Sequence, residues 1–126
     1  MRKIVLLFGF LFCSSVHAQS NWVFITKTQN KTNFVDKNSI QRSGDSVTFW
    51  DRANFSIRDK SGDLSSKMQL TINCRTREII IRYGIFYDDL DNNGNSTSSG
   101  FPKSSWEPIA PDTIGERLYR FVCKGG

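Results

Sequence analysis

Three groups of residues in this 126-residue chain have types and spacings that suggest chemistry. The first is a loop. Asp89, Asp91 and Asn93, followed by Gly94, reproduce the opening half of a calcium loop, in which alternate oxygen-bearing side chains and a glycine turn wrap a hard cation. The bidentate glutamate that closes such a loop belongs at position 100, which is Gly100. Half a motif in an Asp/Asn/Gly-rich stretch is what a solvated turn also presents. A turn is therefore expected here, and no metal site is assigned.

The second group is Trp50, Arg52 and Arg82. Trp50 and Arg52 are two residues apart in a strand-like segment and point to the same, wet side of it. Gln69, Thr71 and Asn73 lie on the polar side of a nearby strand, and Arg82 can join them. A surface tryptophan among arginines is the composition of a protein-binding hot spot. The competing local explanation has Trp50 lying across an arginine stem, or under the following loop, as a packing contact. Trp50, Arg52 and Arg82 are the candidate protein-contact residues. Trp22 and Trp106 are expected in the core or at its rim, and Arg75, Arg77 and Arg82 would make at most a weak anion-attracting patch.

The third group is the thiols. Arg2 and Lys3, the apolar run Ile4 to Cys13 and Val16-His17-Ala18 form a secretory signal peptide over residues 1–18, too short to span a membrane. Cys13 follows Leu11-Phe12 and not a small residue, so no lipid attachment is expected there. Cleavage after Ala18 leaves one domain over residues 19–126. It also removes the only histidine and one of three cysteines. Cys74 and Cys123 then remain as an even pair in an oxidising compartment, which reads as a disulfide. Loss of the histidine excludes a Ser-His-Asp triad, a Cys-His pair and histidine-based metal sites, and no two carboxylates are spaced for acid–base work. No catalytic residues and no cofactor are expected. Net charge falls from +5 to +3 once Arg2 and Lys3 are gone, and the basic residues are dispersed, so no nucleic-acid partner is expected.

The elements that must position these residues are mostly strands. Residues 21–28 are rich in aromatic and β-branched types, and a short strand is expected at 33–36. Residues 47–57 alternate, with Val47, Phe49, Ala53, Phe55 and Ile57 on one face, and Asp51 on that same face demands a bulge or a local partner. Residues 67–74 alternate without interruption through Met68, Leu70, Ile72 and Cys74. After a link at Arg75-Thr76, residues 76–89 place Ile79, Ile81, Tyr83 and Ile85 on one face. A polar Gly/Ser/Asn-rich loop is expected over 88–105. The period then changes: Thr113 and Glu116 form a capping box, and Ile114, Leu118, Phe121 and Val122 recur at helical spacing until Gly125-Gly126. The fold class is α+β, an antiparallel meander of five to six strands with one C-terminal helix packed on one face. Cys74 on the buried face of a strand and Cys123 in the last helical turn can then staple the two layers. In the chain-entropy picture, closing that loop adds about 4 kcal/mol.

"FVDKNSIQRSGDSVTFW" (34–50), "INCRTRE" (72–78) and "WEPIAPDTIGERLYRFVC" (106–123), together with the early aromatic strand at Trp22, resemble the surface-adhesin protein E family of bacterial exported proteins. The resemblance spans nearly all of residues 19–126. It implies a six-stranded antiparallel sheet with a helix tied to it by the disulfide. It also implies a role in adhesion, since the namesake binds host matrix and plasma proteins such as vitronectin, laminin and plasminogen. The chain lacks the namesake's lipobox. The expected function is an exported, non-catalytic binding domain that contacts matrix or plasma proteins, or envelope components, through its surface. The alternative is a periplasmic structural or envelope-associated protein without a host ligand. The expected location is periplasm, cell surface or medium, and a homodimer is compatible with either role.

Overall fold

The computed structural model of the protein describes residues 9, 19–100 and 105–125. Apart from Gly9, the expected signal peptide lies outside the described residues. Among the described residues eight strands and one α-helix follow in order, besides two single-turn 3-10 helices at Lys37–Ser39 and Leu90–Asn92: β1 (Trp22–Lys27), β2 (Lys31–Asp36), β3 (Gln41–Ser43), β4 (Ser46–Phe55), β5 (Ser65–Asn73), β6 (Glu78–Tyr87), β7 (Ser96–Gly100), β8 (Glu107–Pro108) and α1 (Ile114–Lys124). The sheet runs β1-β2-β4-β5-β6-β7, with β3 paired to β4 and β8 to β6. Every pairing is antiparallel. This is the expected α+β meander, six strands across with two short additions.

β4 and β5 form the centre. Their register is unbroken from Ser46 opposite Asn73 to Asn54 opposite Ser65. Val47 and Phe49 therefore align with Ile72 and Leu70 on one face, as the alternation requires. Val35 of β2 joins them, and α1 closes the core with Leu118, Tyr119 and Val122. The helix starts where the sequence marks it: Thr113 Oγ1 accepts from the Glu116 N–H at 3.2 Å. Only half of the capping box forms, because the Glu116 carboxylate pairs with Arg120 at 3.1 Å one turn later. Gly125, at φ 79°, ends the helix in the left-handed conformation that a side chain would disfavour. Arg42 of β3 donates to the Val122 carbonyl, one of the acceptors a helix C-terminus leaves open.

Cys74, just past the end of β5, is bonded to Cys123 in the last turn of α1, with Cα atoms 5.7 Å apart. The link fastens the helix to the sheet at one end of the core. Asn73 holds the adjoining turn: its Oδ1 accepts from the N–H groups of Arg75 and Thr76, both at 3.0 Å.

Three expectations are corrected. The 88–105 segment is not all loop: Ser96–Gly100 forms β7 on the outer side of β6. Its Ser/Thr/Gly composition has no apolar alternation to mark it, since an edge strand pairs through its backbone. Ile57 is 79% exposed, because β4 ends at Phe55 and the alternation does not continue beyond it. Finally, Ile79, Ile81, Tyr83 and Ile85 do not share a face. Gln69 pairs with Tyr83 but Leu70 pairs with Ile81, so Arg82 is an extra residue in β6. That bulge leaves Ile79 and Ile81 on the helix side and turns Tyr83 and Ile85 to the opposite face.

Candidate functional site

The face of the sheet opposite α1 carries the candidate residues. The registers place Trp22 and Phe24 (β1), Phe34 (β2), Trp50 and Arg52 (β4), Lys67 (β5) and Tyr83 (β6) on it. On an ordinary solvated face these positions would be polar. Here rings and cations interleave from strand to strand. The Arg52 guanidinium lies 4.8 Å from the Trp22 ring centroid and 5.0 Å from that of Phe34. The Lys67 ammonium lies 5.8 Å from Trp22 and 5.1 Å from Trp50. Trp50 in turn meets Tyr83 edge to face, with centroids 6.3 Å apart, and Phe24 meets Phe34 the same way at 6.1 Å. A cation over a ring face is attracted by the ring quadrupole, by about 0.5–2 kcal/mol depending on desolvation. The rings and side-chain stems therefore shield one another while the charges stay on the face.

Trp50 and Arg52 are thus on the expected face and part of one array, though both are half-buried and not free-standing. Trp50 is covered by a cation, but that cation is Lys67 and not an arginine: Arg52 lies over Trp22 and Phe34 instead. Arg82 sits farther along the same side. Its Nε donates to Thr71 Oγ1 at 3.3 Å, and its guanidinium lies 5.6 Å from the Trp106 ring centroid. Of the two places expected for Trp22 and Trp106, the core or its rim, neither residue takes the core. Trp22 belongs to the array, and Trp106 is 39% exposed. The three tryptophans of the chain all face this side. Trp22 could have been read from β1 alone, where Val23 and Ile25 are the natural core pair and leave Trp22 and Phe24 on the other side. Tyr83 was hidden by the bulge at Arg82, and Lys67 by its place in an ordinary polar alternation.

The arginines at 75, 77 and 82 do not gather. Arg75 pairs with Asp45 at 3.0 Å, Arg77 lies 5.1 Å from the Tyr119 ring of the helix, and Arg82 is on the opposite face. The half calcium motif folds as a turn whose carboxylates have local duties. Asp89 Oδ1 accepts from the Leu90 N–H at 2.7 Å, and Asp91 Oδ1 accepts from Asn54 Nδ2 at 2.8 Å. Among the described residues no group of three or more His, Cys, Asp or Glu is placed to hold a metal ion.

Asp51 is the sheet's unusual acid. It is 5% exposed, on the helix side between Val35 and Met68, and its expected local partner is Asn33. No bulge forms there, and the register runs through it unbroken. Burial pushes its pKa up to about 7, only partly offset by the Asn33 hydrogen bond, the Lys31 charge and the Met68 backbone.

A profile of the surface-adhesin protein E family matches residues 22–124. The chain belongs to that family. Crystal form II of protein E from Haemophilus influenzae superposes with a TM-score of 0.65 at 18% identity, covering 85% of this chain and 90% of that one. Its selenomethionine form gives 0.64 at 18% identity, over 84% and 88% of the two chains. A third structure, from a non-typeable strain, gives 0.57 at 17% identity, over 80% and 75%. At such identities the likeness establishes the fold alone. No curated protein matches the chain by sequence. Among the described residues no helix is long and apolar enough to cross a membrane.

Proposed function

We propose that this family member is an exported, non-catalytic binding domain of the adhesin type. It contacts a matrix or plasma protein, or an envelope component, through the sheet face opposite α1. One observation supports this above the others: all three tryptophans lie on the face that the helix leaves uncovered. Large rings kept at a surface at the cost of solubility mark contact sites, and Trp, Tyr and Arg are the residues that dominate binding energy there. Trp50, Arg52 and Arg82 remain the first candidates, now joined by Trp22, Lys67, Tyr83 and Trp106.

The exported protein can be passed over immobilised vitronectin, laminin and plasminogen and over envelope extract, beside Trp50→Ala and Trp106→Ala. Trp106→Ala removes an exposed ring and should weaken capture about fivefold or more without altering the fold. Capture by none of these surfaces, or capture unchanged in both variants, contradicts the role. Protease shaving of intact cells locates the chain, and surface display should make it cleavable without lysis.

A further inference from the structure

Arg52 of β4 and Lys67 of β5 stand directly opposite each other in the register. Like charges at directly opposed positions repel, so a strand pair ordinarily places a carboxylate or a neutral side chain at one of them. Here both cations also converge on a single ring, Trp22, at 4.8 and 5.8 Å. Neither forms an ion pair among the described residues, whose two salt bridges join Arg75 to Asp45 and Arg120 to Glu116. The Arg52 Nε is buried and has no hydrogen-bond partner, so this half-buried side chain offers its charge through the terminal nitrogens. The acids that reach this side are engaged elsewhere. Asp36 is buried and committed to the N–H groups of Asn21 and Asn38, and Glu78 lies at the far end of β6, opposite Asn73. Asp91, which reaches Asn54 two residues along β4 from Arg52, accepts from the Asn54 Nδ2 and forms no ion pair with either cation.

We infer that the Arg52–Lys67 pair is a carboxylate subsite, and that the partner on this face is a protein segment presenting an aspartate or glutamate between the two cations. The inference rests on the binding role proposed above and specifies the chemistry of the partner. A carboxylate between Arg52 and Lys67 would turn their mutual repulsion into two attractions. The planar guanidinium fork matches a planar carboxylate bidentately. The surrounding rings favour a singly charged group over a doubly charged phosphate, because a dianion loses more hydration against the apolar walls of Trp22, Phe34 and Trp50. The same rings can stack on the apolar neighbours of the acid in a polypeptide, which a free anion lacks.

The test uses the 15N-labelled exported protein, read by the indole N–H signals of Trp22 and Trp50. The probes are a blocked hexaglutamate peptide, a blocked hexaglutamine peptide and inorganic phosphate, at one ionic strength. Hexaglutamate should shift both indole signals with saturation, hexaglutamine should not, and phosphate should bind at least tenfold more weakly. Arg52→Gln/Lys67→Gln should weaken hexaglutamate at least tenfold with the spectrum still dispersed. Arg117→Gln/Lys124→Gln, which removes the same charge from the helix, should leave it unchanged. The inference is overturned if hexaglutamate leaves the indoles unmoved, if both double variants weaken it equally, or if phosphate binds as tightly, which would point to a phosphorylated or lipid headgroup ligand. Host-protein capture lost in Trp50→Ala but intact in Arg52→Gln/Lys67→Gln also overturns the carboxylate subsite, and leaves the binding role standing.

Discussion

Asn33 Nδ2 donates to Asp51 Oδ2 at 3.3 Å inside the sheet, while the amide oxygen of Asn33, Oδ1, and the second carboxylate oxygen of Asp51, Oδ1, are buried without a hydrogen-bond partner. A single proton answers both deficits. Protonated at Oδ1, Asp51 becomes a donor, and a carboxylic acid facing a carboxamide can close a pair of hydrogen bonds. This gives physical content to a carboxyl whose pKa is pushed up to about 7 by burial.

The consequence for stability has a definite sign. The folded state holds the proton more tightly than the unfolded chain, so stability falls as pH rises from about 4 to about 7 and levels off above. At 1.36 kcal/mol per unit the whole effect is on the order of 4 kcal/mol. Asp51→Asn keeps an oxygen acceptor and adds an N–H that can reach Asn33 Oδ1. It should melt several degrees higher than the native protein at pH 8, with the difference shrinking towards pH 4. Parallel melting curves for the two proteins that keep a constant separation across that range would contradict the account.

The disulfide joins residues 49 apart in sequence, across the junction of sheet and helix. Reduction, or Cys123→Ser, should cost about 4 kcal/mol and lower Tm by roughly ten degrees or more in a domain of this size. Calorimetry with and without reductant measures it, and an unchanged Tm would mean that helix docking stands on packing alone.

Gly94 is fixed by sterics. Its φ is +79°, and an added Cβ would lie 2.1 Å from Asp88 Oδ1, the atom that accepts the Asn95 N–H. Gly94→Ala should destabilise the protein by about 1–3 kcal/mol, visible as an earlier urea midpoint. Calcium should not protect it: with Asp89 and Asp91 engaged in the turn, melting with 1 mM calcium and with chelator should agree to about one degree.

Trp50 contributes to the fold as well as to the surface. Half-buried between Lys67 and Tyr83, it should cost about 1–2 kcal/mol on truncation to alanine, more than a free-standing surface ring would. Chemical denaturation of Trp50→Ala beside Tyr83→Ala checks this, since the two truncations should be less than additive if the edge-to-face contact is real.

Much of the fold was legible because it rests on period: Val47, Phe49, Leu70 and Ile72 alternate, Leu118 and Val122 recur at helical spacing, and Thr113 and Gly125 mark the helix ends. The expected face for Trp50 and Arg52 followed from the same alternation. The rest depends on events that leave no periodic trace. One inserted residue, Arg82, moves Tyr83 and Ile85 to the other side of the sheet. β7 pairs through its backbone, so its Ser-rich sequence looks like loop. For Trp22 and Trp106 the sequence leaves core and rim both open; in the fold cations cover them, Arg52 and Lys67 for Trp22 and Arg82 for Trp106. Which charges meet which rings is decided between strands, and a single strand's sequence does not encode it.

The sheet face away from the helix is proposed as the contact surface. Hydroxyl-radical footprinting read residue by residue by mass spectrometry tests it most directly, on the free protein and on its complex with whichever immobilised host protein captures it. Oxidation of Trp22, Trp50 and Trp106 should fall severalfold in the complex, while Phe121, on the helix side, keeps its free-state rate. Protection of Phe121 with all three tryptophans still oxidised at the free-state rate would place the contact on the helix face and contradict the account.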